Sequence, residues 1–162
     1  MERPSRKNIR LAGYDYSSQG GYFITICTHG RRCLLSRILP GTATVHAEVV
    51  LSELGKIAAE TLHQLARDHG LTVDTYVIMP DHIHIILFLP ENAPCNIGRF
   101  LGAFKSLTAT RWYKVCDRLG VTAGKIWQRN YYDHILRNEA DHLEKRKYIE
   151  ENPDKWHPGD QC

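Results

Sequence analysis

Long apolar runs are absent from this chain of 162 residues, and its N-terminus lacks the apolar core of a secretion signal. We therefore expect no contact with a membrane. The sequence also has no Cys-x-x-Cys pair, since its five cysteines are scattered and odd in number. This pattern disfavours a disulfide framework or a zinc knuckle, and it favours a reducing, cytoplasmic setting.

A large excess of charge of one sign is missing as well. The formal net charge is +3, with 43% apolar and 24% charged residues, values typical of a soluble globular protein. The cations are nevertheless clustered, and each cluster fits either a phosphate-binding surface or an ordinary solvated one. One cluster, at the N-terminus, contains Arg3, Arg6, Lys7 and Arg10. The other contains Arg99, Lys105, Arg111, Lys114 and Arg118.

The length predicts a single domain with a hydrophobic core of its own. We assign this domain to residues 13–156, between a basic arm at 1–12 and a tail at 157–162. The few residues after 156 suggest no appended domain.

Apolar periodicity predicts an α+β fold for this domain. Alternating apolar residues predict strands at 22–28, on both sides of Pro80-Asp81, and at 126–136. Capping residues followed by apolar residues at spacings of three and four predict helices at 53–68 and 97–119, while 29–51 fits a loop or a short hairpin. A third helix at 139–152 is predicted from the cap Asn138, from Asp141 three residues later and from Pro153 at its end. The resulting order predicts a ferredoxin-like βαββαβ antiparallel sheet with helices on one face, followed by a C-terminal helix. In the second helix the predicted buried stripe is Ile97, Leu101, Phe104, Thr108, Trp112, Val115 and Leu119.

His82 and His84 lie two residues apart in the predicted strand that follows Pro80-Asp81. Alternate residues of a strand point to the same face of a sheet, so both imidazoles share one face and Ile83 points to the other. Two imidazoles held in this way on a rigid strand can bind one metal ion. A His-x-His pair also occurs by chance, and the same residues fit two ordinary half-exposed strand histidines.

The last predicted helix carries Tyr148 and Asn152, which are four residues apart and therefore on one side of the helix. If that side faces the histidines, the amide oxygen of Asn152 offers a third metal ligand. A nearby divalent cation favours the phenolate of Tyr148, since the unperturbed pKa of a phenol is about 10, and it also polarises a phosphate. Attack by Tyr148 would give a covalent phosphotyrosine and permit strand transfer. The ordinary alternatives are a half-buried helix tyrosine and a helix-end asparagine before Pro153.

Three other tyrosines are rival candidates for the nucleophile. Tyr131 and Tyr132 lie on a predicted strand, where sheet packing or base stacking is the simpler role. Tyr113 follows Trp112 on a helix, where a structural role is simpler. We therefore expect Tyr113 to be structural, and Tyr131 and Tyr132 to pack in the sheet or to stack on bases.

Three segments together carry a resemblance to a known family. They are Met79-Pro80-Asp81-His82-Ile83-His84, Trp127-Gln128-Arg129 to Tyr132-Asp133-His134, and Tyr148-Ile149 to Asn152-Pro153. In this order and spacing they resemble the single-tyrosine transposases of the HUH endonuclease superfamily, and more closely the IS200-like branch of REP-associated tyrosine transposases. Asn152 replaces the glutamine of insertion-sequence relatives, which fits the REP-associated branch. Asp81 stands where relatives are expected to have Asn or Glu.

The resemblance implies metal-dependent cleavage of single-stranded DNA beside a palindromic hairpin, with Mg²⁺ or Mn²⁺ as the cofactor. It implies His82, His84 and Asn152 as metal ligands, and Tyr148 as the nucleophile that leaves a 5′-phosphotyrosine and a free 3′-hydroxyl. It also implies a bacterial or archaeal cell and association with the nucleoid. A monomer and a homodimer that uses Tyr148 in trans both remain open.

The hairpin stem is expected to be held through its phosphates, and unpaired bases are expected to stack on exposed aromatic residues. The predicted DNA-binding residues are Arg3, Arg6, Lys7, Arg10, Arg99, Lys105, Lys114 and Arg118. Individual contacts do not follow from the sequence.

Two other functions fit the same fold. A non-catalytic hairpin- or repeat-binding protein derived from a transposase would need none of His82, His84, Tyr148 and Asn152. A small metal-dependent hydrolase would turn over without a protein-linked intermediate and without salt-sensitive DNA binding, and the basic arm counts against it. A structural zinc site is disfavoured because it normally takes four Cys or His ligands.

Overall fold

The computed structural model describes residues 19–157 and residue 159. The main sheet consists of β1 (Gly20–Cys27), β4 (Thr72–Ile78), β5 (His82–Leu89) and β6 (Tyr132–Ile135). A separate hairpin consists of β2 (Ser36–Leu39) and β3 (Glu48–Leu51). The helices are α1 (Glu53–His69), α2 (Ile97–Leu119) and α3 (Glu139–Glu151). The predicted basic arm, with Arg3, Arg6, Lys7 and Arg10, lies outside the described residues.

The strands of the main sheet are ordered β4-β5-β1-β6, and each neighbouring pair is antiparallel. Strand β5 thus lies between β1 and β4, the two strands that are connected through α1, which is the split βαβ arrangement. The predicted ferredoxin-like βαββαβ fold is confirmed. The β2–β3 hairpin is an addition between β1 and α1, in the segment for which the sequence predicts a loop or a short hairpin.

Each helix begins at a predicted capping residue. The caps are Ser52 for α1, Asn96 for α2 and Asn138 for α3, and each side chain accepts a backbone N–H of the first helical turn. Helices α1 and α2 end at Gly70 and Gly120, both with φ of 66°, a left-handed conformation that glycine adopts without steric cost. These local signals explain why the predicted bounds of both helices agree closely with the structure.

One face of the main sheet packs against α1 and α2 and forms the main core. Ile83 and Ile85 of β5 point into this core, where Phe104 of α2 meets them, and all three are buried. Helix α1 approaches the preceding segment so closely that a Cβ on Gly55 would lie 2.0 Å from the carbonyl oxygen of Leu35. Burial of apolar surface, worth about 25 cal/mol per Å², stabilises this side of the molecule.

Helix α3 covers the opposite face with much less apolar contact. Ile149 is its one buried residue, and it packs against Phe23 and Ile86 of the sheet. Polar pairs complete the attachment, with His142 and Arg146 at Asp74 of β4 and His134 of β6 at Asp141. The last helix therefore crosses the sheet on the side to which the histidines point.

Two elements differ from their predictions. Helix α2 has 23 residues and β5 has eight, so the helix is about 7 Å longer than the strand beneath it, and Leu119 at its end is exposed rather than part of the buried stripe. The strand predicted at 126–136 is reduced to a single bridge between Thr28 and Trp127 followed by β6. The carbonyls of residues 128–130 bind Lys105 instead of a neighbouring strand, which interrupts the pairing.

The cysteines are mostly unpaired, as the sequence suggests. Cys27, Cys95 and Cys116 are free thiols, whereas Cys33 forms a disulfide, contrary to the expectation from the scattered pattern. An odd number of cysteines disfavours a framework but does not exclude a single bridge. None of the helices in the described part of the chain is long and apolar enough to span a bilayer.

Candidate active site

His82 and His84 lie on the α3 side of the sheet, as the strand parity predicts. In the antiparallel register, His82 is opposite Cys27 of β1 and His84 is opposite Thr25. The two imidazole centroids are 4.5 Å apart, and the residues are only 7% and 5% exposed. The ordinary alternative of two half-exposed strand histidines does not describe this buried pair.

An acidic neighbour orients His82. Its Nδ1 lies 2.6 Å from Oδ1 of Asp81, and the second carboxylate oxygen, Oδ2, accepts from Nε of Arg31 at 2.7 Å. Because a carboxylate only accepts hydrogen bonds, Nδ1 of the imidazole carries the proton and, in the neutral ring, Nε2 keeps its lone pair. The chain of contacts from Arg31 through Asp81 therefore fixes the tautomer that a metal ligand requires.

His84 is held in a comparable way by a hydroxyl. Its Nδ1 lies 2.8 Å from Oγ1 of Thr25, while Nε2 is buried and has no hydrogen-bond partner among the described residues. Burial is the main reason that the pKa of His84 is lowered to about 3, and the neighbouring His82 and Arg31 add to this effect. The ring is thus neutral at physiological pH. A buried nitrogen without a partner is costly, and it marks a position where a ligand can complete the site.

Tyr148 lies directly beside the histidine pair, in the same chain. The centroid of its ring is 5.2 Å from that of His84 and 5.9 Å from that of Phe23, which itself stacks on His84 at 5.3 Å. Tyr148 is 43% exposed. The phenol is therefore next to the imidazoles and also open to a polymeric substrate. The buried anchor for this position is the adjacent Ile149.

Asn152 follows the last turn of α3 and keeps helical dihedral angles, with φ of −60° and ψ of −41°. Its side chain thus projects from the same side of the helix as Tyr148, one turn later. The role of Asn152 as third ligand stays a prediction. On the next segment, the ring of Trp156 lies 6.4 Å from that of His82.

The residues present fit a divalent metal ion. Two imidazoles have their Nδ1 atoms engaged, and the unpartnered Nε2 of His84 supplies a buried lone pair. No group of three His, Cys, Asp or Glu side chains within the described ranges could hold a metal by itself. A third ligand from the described residues would therefore be of another type, such as the amide of Asn152. Imidazole nitrogens and an amide oxygen, with positions left open, suit an ion that also binds phosphate oxygen.

Lys105 has a structural position that the sequence analysis did not foresee. Its Nζ donates to the carbonyl oxygens of Gln128, Arg129 and Asn130 at 2.9, 3.3 and 3.0 Å. Burial lowers the pKa of Lys105 to about 8. An ammonium has three N–H donors, so these carbonyls occupy all of them. Lys105 anchors the 128–130 loop, and a simultaneous bond to DNA phosphate would require it to release a carbonyl.

The other predicted DNA-binding residues of α2 lie far from the histidines. Arg99, Lys114 and Arg118 are exposed on the outer side of the helix, whose buried residues pack against the opposite face of the sheet. The sheet therefore separates these cations from the imidazoles. Arg111 instead donates to Thr61 and Gln64 of α1 and ties the two helices together. Contact of the exposed cations with DNA stays a prediction.

The rival tyrosines lie elsewhere. Tyr132 is opposite Thr25, so it shares the face of the histidines, and it is 47% exposed, but β1 separates it from β5. Tyr131 lies beside Lys105, whose Nζ is 5.8 Å from the ring centroid. Tyr113 is exposed on α2, on the far side of the sheet. Of the four candidates, Tyr148 alone contacts the ring of a site histidine.

Sequence reasoning missed three residues around the histidines. For Asp81 the sequence offers one usable signal, which is its place directly before His82 at the start of a strand. Thr25 could be found only once the register between β1 and β5 was known. Arg31 belongs to a turn at His29–Arg31, in the segment predicted as a loop or a short hairpin, and no motif indicates a role for it.

Comparison with known proteins gives a family for this fold and site. The family model described as "Transposase IS200 like" matches residues 43–152. The chain belongs to the IS200-like transposase family. The ISDra2 transposase TnpA of Deinococcus radiodurans is 30% identical over 67% of this chain and 76% of its own length. The REP-associated tyrosine transposase of Escherichia coli K12 is 23% identical over 86% of this chain and 70% of its own.

A solved structure supports the same assignment at the level of the fold. The chain of a REP-associated tyrosine transposase bound to a REP hairpin superposes with a TM-score of 0.64 and 21% identity. The match covers 90% of this IS200-like transposase and 73% of that chain. The resemblance to REP-associated tyrosine transposases that the motifs carry is thus confirmed. The matched family region includes both histidines and Tyr148, whereas Arg31 and Thr25 precede it.

Proposed function

We propose that this IS200-like transposase cleaves and rejoins single-stranded DNA with Tyr148 as its nucleophile. The observation that carries the proposal is the position of the Tyr148 ring, whose centroid is 5.2 Å from that of His84, and the Nε2 of His84 is buried with no hydrogen-bond partner in the described part of the chain. A phenol that merely packed against the sheet would not require two oriented imidazoles beside it. A tyrosine, two histidines and an open surface together fit phosphoryl transfer to a protein side chain.

In the proposed step the Tyr148 oxygen attacks the phosphorus of the strand and loses its proton to water. A bond forms between the tyrosine oxygen and phosphorus while the bond between phosphorus and the 3′ oxygen breaks. The departing 3′ oxygen takes up a proton from water. The products are a 5′-phosphotyrosine and a free 3′-hydroxyl, and the phosphotyrosine conserves the bond energy needed to join another end.

His82 and His84 would hold a divalent cation, Mg²⁺ or Mn²⁺, through their Nε2 atoms, with Asn152 as a third ligand. When bound, this cation would favour the phenolate and stabilise charge on the phosphate oxygens. Asp81 and Thr25 keep the two imidazoles oriented for this task. The low pKa of His84 supports the assignment, because only the neutral ring can ligate a metal.

We further propose that the substrate carries a palindromic hairpin. The similar REP-associated transposase is described as bound to a REP hairpin. The exposed cations of α2 and those of the N-terminal arm would contact the phosphates of the stem through electrostatic attraction. Because Tyr148 and the histidines belong to one chain, we propose that a single copy is sufficient for cleavage, in cis.

The decisive experiment compares Tyr148→Phe with Tyr113→Phe. Both tyrosines are 43% exposed on a helix, so loss of either hydroxyl should change stability little. With Mn²⁺ and a single strand that carries a palindrome, wild-type protein and Tyr113→Phe should form an adduct that resists denaturation. Tyr148→Phe should form less than about one thousandth of it, because no nucleophile remains.

Hairpin binding should be the same for all three proteins, measured in the absence of metal. Binding by the wild-type protein without any adduct would favour the non-catalytic hairpin-binding protein instead. Turnover of a small phosphate ester without an adduct would favour a metal-dependent hydrolase. An adduct formed by Tyr148→Phe would move the nucleophile to another residue.

A further inference from the structure

Arg31 has an unusual backbone conformation beside the site. Within the described residues it is the only non-glycine residue with a positive φ, 56°. Residues other than glycine rarely adopt this left-handed backbone conformation. Where one does, the surrounding contacts usually hold it in place. The neighbouring Gly30 also has a positive φ, so the turn at His29–Arg31 is tightly bent. This bend directs the Arg31 side chain towards the histidines.

The guanidinium of Arg31 is fixed on two sides. Its Nε donates to Oδ2 of Asp81 at 2.7 Å, and its Nη1 donates to Sγ of Cys27 at 2.8 Å. The carboxylate of Asp81 is only 3% exposed and contacts His82 through its other oxygen. Cys27 is opposite His82 in the β1–β5 register. Arg31 thus joins Asp81, which directly precedes His82 in the chain, to Cys27, which is opposite His82 on β1.

The described residues of the protein do not occupy all the donors of this guanidinium. An arginine carries five N–H donors, and the contacts to Asp81 and Cys27 occupy two of them. The Arg31 side chain remains 43% exposed although its partner Asp81 is buried. Its charge also acts on His84, whose pKa it helps to lower. A half-exposed, immobilised guanidinium next to the imidazoles has the geometry for bidentate contact with a phosphate.

We propose that Arg31 has two roles in the site: it positions His82 through Asp81, and it binds the phosphate at which Tyr148 reacts. The second role rests on the proposed function; the first concerns metal binding alone. The ligand of the exposed N–H groups is a phosphodiester of single-stranded DNA, since this anion must lie beside Tyr148 and the imidazoles. Arg31 is therefore a residue that both orients a ligand and contacts substrate.

The alternative is that Arg31 only neutralises a buried carboxylate. In that case its replacement would lower stability but would leave the metal affinity of the folded protein and the salt dependence of DNA binding unchanged. Measurements of metal affinity and of DNA binding on folded protein, which do not depend on activity, distinguish the two explanations. Arg37 offers a matched control, because it is an exposed arginine on the β2–β3 hairpin.

The first measurement is Mn²⁺ affinity without DNA, read from the electron paramagnetic resonance signal of free Mn²⁺. Arg31→Gln and Asp81→Asn should each weaken binding about 10-fold or more, the range found when a partner of a metal-ligating histidine is lost. Arg31→Lys should also weaken it, because lysine cannot reproduce the planar contact to both partners. Arg37→Gln should bind Mn²⁺ like the wild-type protein.

The second measurement is the salt dependence of binding to a single strand that carries a palindrome, in EDTA. Loss of one phosphate contact should reduce the slope of log K against log salt by about 0.7 in Arg31→Gln. Arg31→Lys keeps the charge and should keep the slope. The lysine variant should thus bind Mn²⁺ more weakly while its DNA binding keeps the salt dependence of the wild-type protein. Neither Arg31→Gln nor Arg37→Gln should show this combination.

Thermal unfolding shows whether each variant is folded. Should Arg31→Gln fail to fold, Arg31→Gly replaces it, since glycine adopts this φ without strain. Unchanged Mn²⁺ affinity and an unchanged slope in a folded Arg31→Gln or Arg31→Gly variant would overturn the proposal. If the Arg31 variants change neither quantity but the wild-type protein forms the Tyr148 adduct, the proposed function is still supported. Absence of an adduct from the wild-type protein would instead refute the proposed function, while the metal measurement would still test the positioning role.

Discussion

The two faces of the main sheet differ in what holds them together. The face under α1 and α2 is covered by a continuous apolar core that includes Ile83 and Ile85. On the other face, the described residues form only a small apolar cluster, in which Phe23 and Ile86 of the sheet contact Ile149 of α3, and this face also holds the buried His82 and His84. Successive side chains of β5 point alternately to these two faces.

This difference separates stability from chemistry within single strands. Apolar burial is nondirectional and tolerates few polar atoms, so the helical face supplies free energy of folding. The α3 face buries titratable groups that need defined partners, and each partner, such as Asp81 or Thr25, fixes an orientation. Functional groups can therefore change on one face without removing the core on the other.

The largest stability effect should come from breaking this separation on β5. Ile85→Ala removes a fully buried side chain of the helical face and should lower the free energy of unfolding by about 2–5 kcal/mol. His84→Leu, at the adjacent position, replaces a buried polar ring with an apolar side chain. It should change the free energy of unfolding by about 1 kcal/mol or less. Urea denaturation measures both.

Activity should respond in the opposite order. His84→Leu should lose the DNA adduct, while Ile85→Ala, assayed well below its melting temperature, should keep it. Equal stability losses in the two variants would show that the faces do not divide these tasks.

A smaller effect is expected where α3 is attached to the sheet. Ile149→Ala removes the one buried side chain of α3 and should cost about 2 kcal/mol, at the lower end for such changes because this cluster is small. Adduct formation should fall as well, because Tyr148 is the adjacent residue. Leu143→Ala on the same helix, with Leu143 56% exposed, is the control and should change stability by less than about 0.5 kcal/mol. An unchanged adduct yield in Ile149→Ala would show that the helix does not depend on this anchor.

The smallest effect, and the only one that depends on pH, concerns the polar attachment of α3. The backbone N–H of Arg137, followed by His134, lowers the pKa of Asp141 below its usual value. A carboxyl with a lowered pKa stabilises the fold above its unfolded pKa of about 3.9, and this contribution is lost as the pH falls through the lower folded value. Asp141→Asn should therefore melt about 2–4 °C below the wild-type protein at pH 7.

The difference in melting temperature should shrink as the pH falls below about 4. The matched core variant Ile85→Ala should show no comparable convergence, because it removes no titratable group. A constant difference for Asp141→Asn across this range would mean that the carboxylate is not paired in the folded state.

The sequence predicts most of the fold because its signals are local. Caps at Ser52, Asn96 and Asn138 and the two helix-ending glycines act within one or two turns, and strand alternation depends only on neighbouring residues. The location of Tyr148 beside the histidines also followed, but only through the assumption that α3 crosses that face. The structure confirms this crossing.

What the sequence did not reveal depends on contacts between distant segments. Thr25 meets His84 because of the β1–β5 register, and Arg31 reaches Asp81 from a turn 50 residues away. Lys105 is predicted to bind DNA because the sequence does not distinguish an exposed helix cation from one that anchors a loop. Its anchoring role depends on the carbonyls of residues 128–130, which only the tertiary structure brings close to it. Roles of this kind are set by tertiary structure and leave no periodic pattern.

The central strand β1 has a consequence for how the protein can vary. Thr25 and Cys27 are opposite the two histidines, while Ile24 and Ile26 point into the helical core. Deletion of one residue near Gly21 would shift the frame of the strand and exchange these two sets of side chains. A point substitution in β1 thus affects one side chain on one face, whereas a length change affects both faces at once. Natural variants with insertions should accumulate them in the β2–β3 hairpin, outside the sheet.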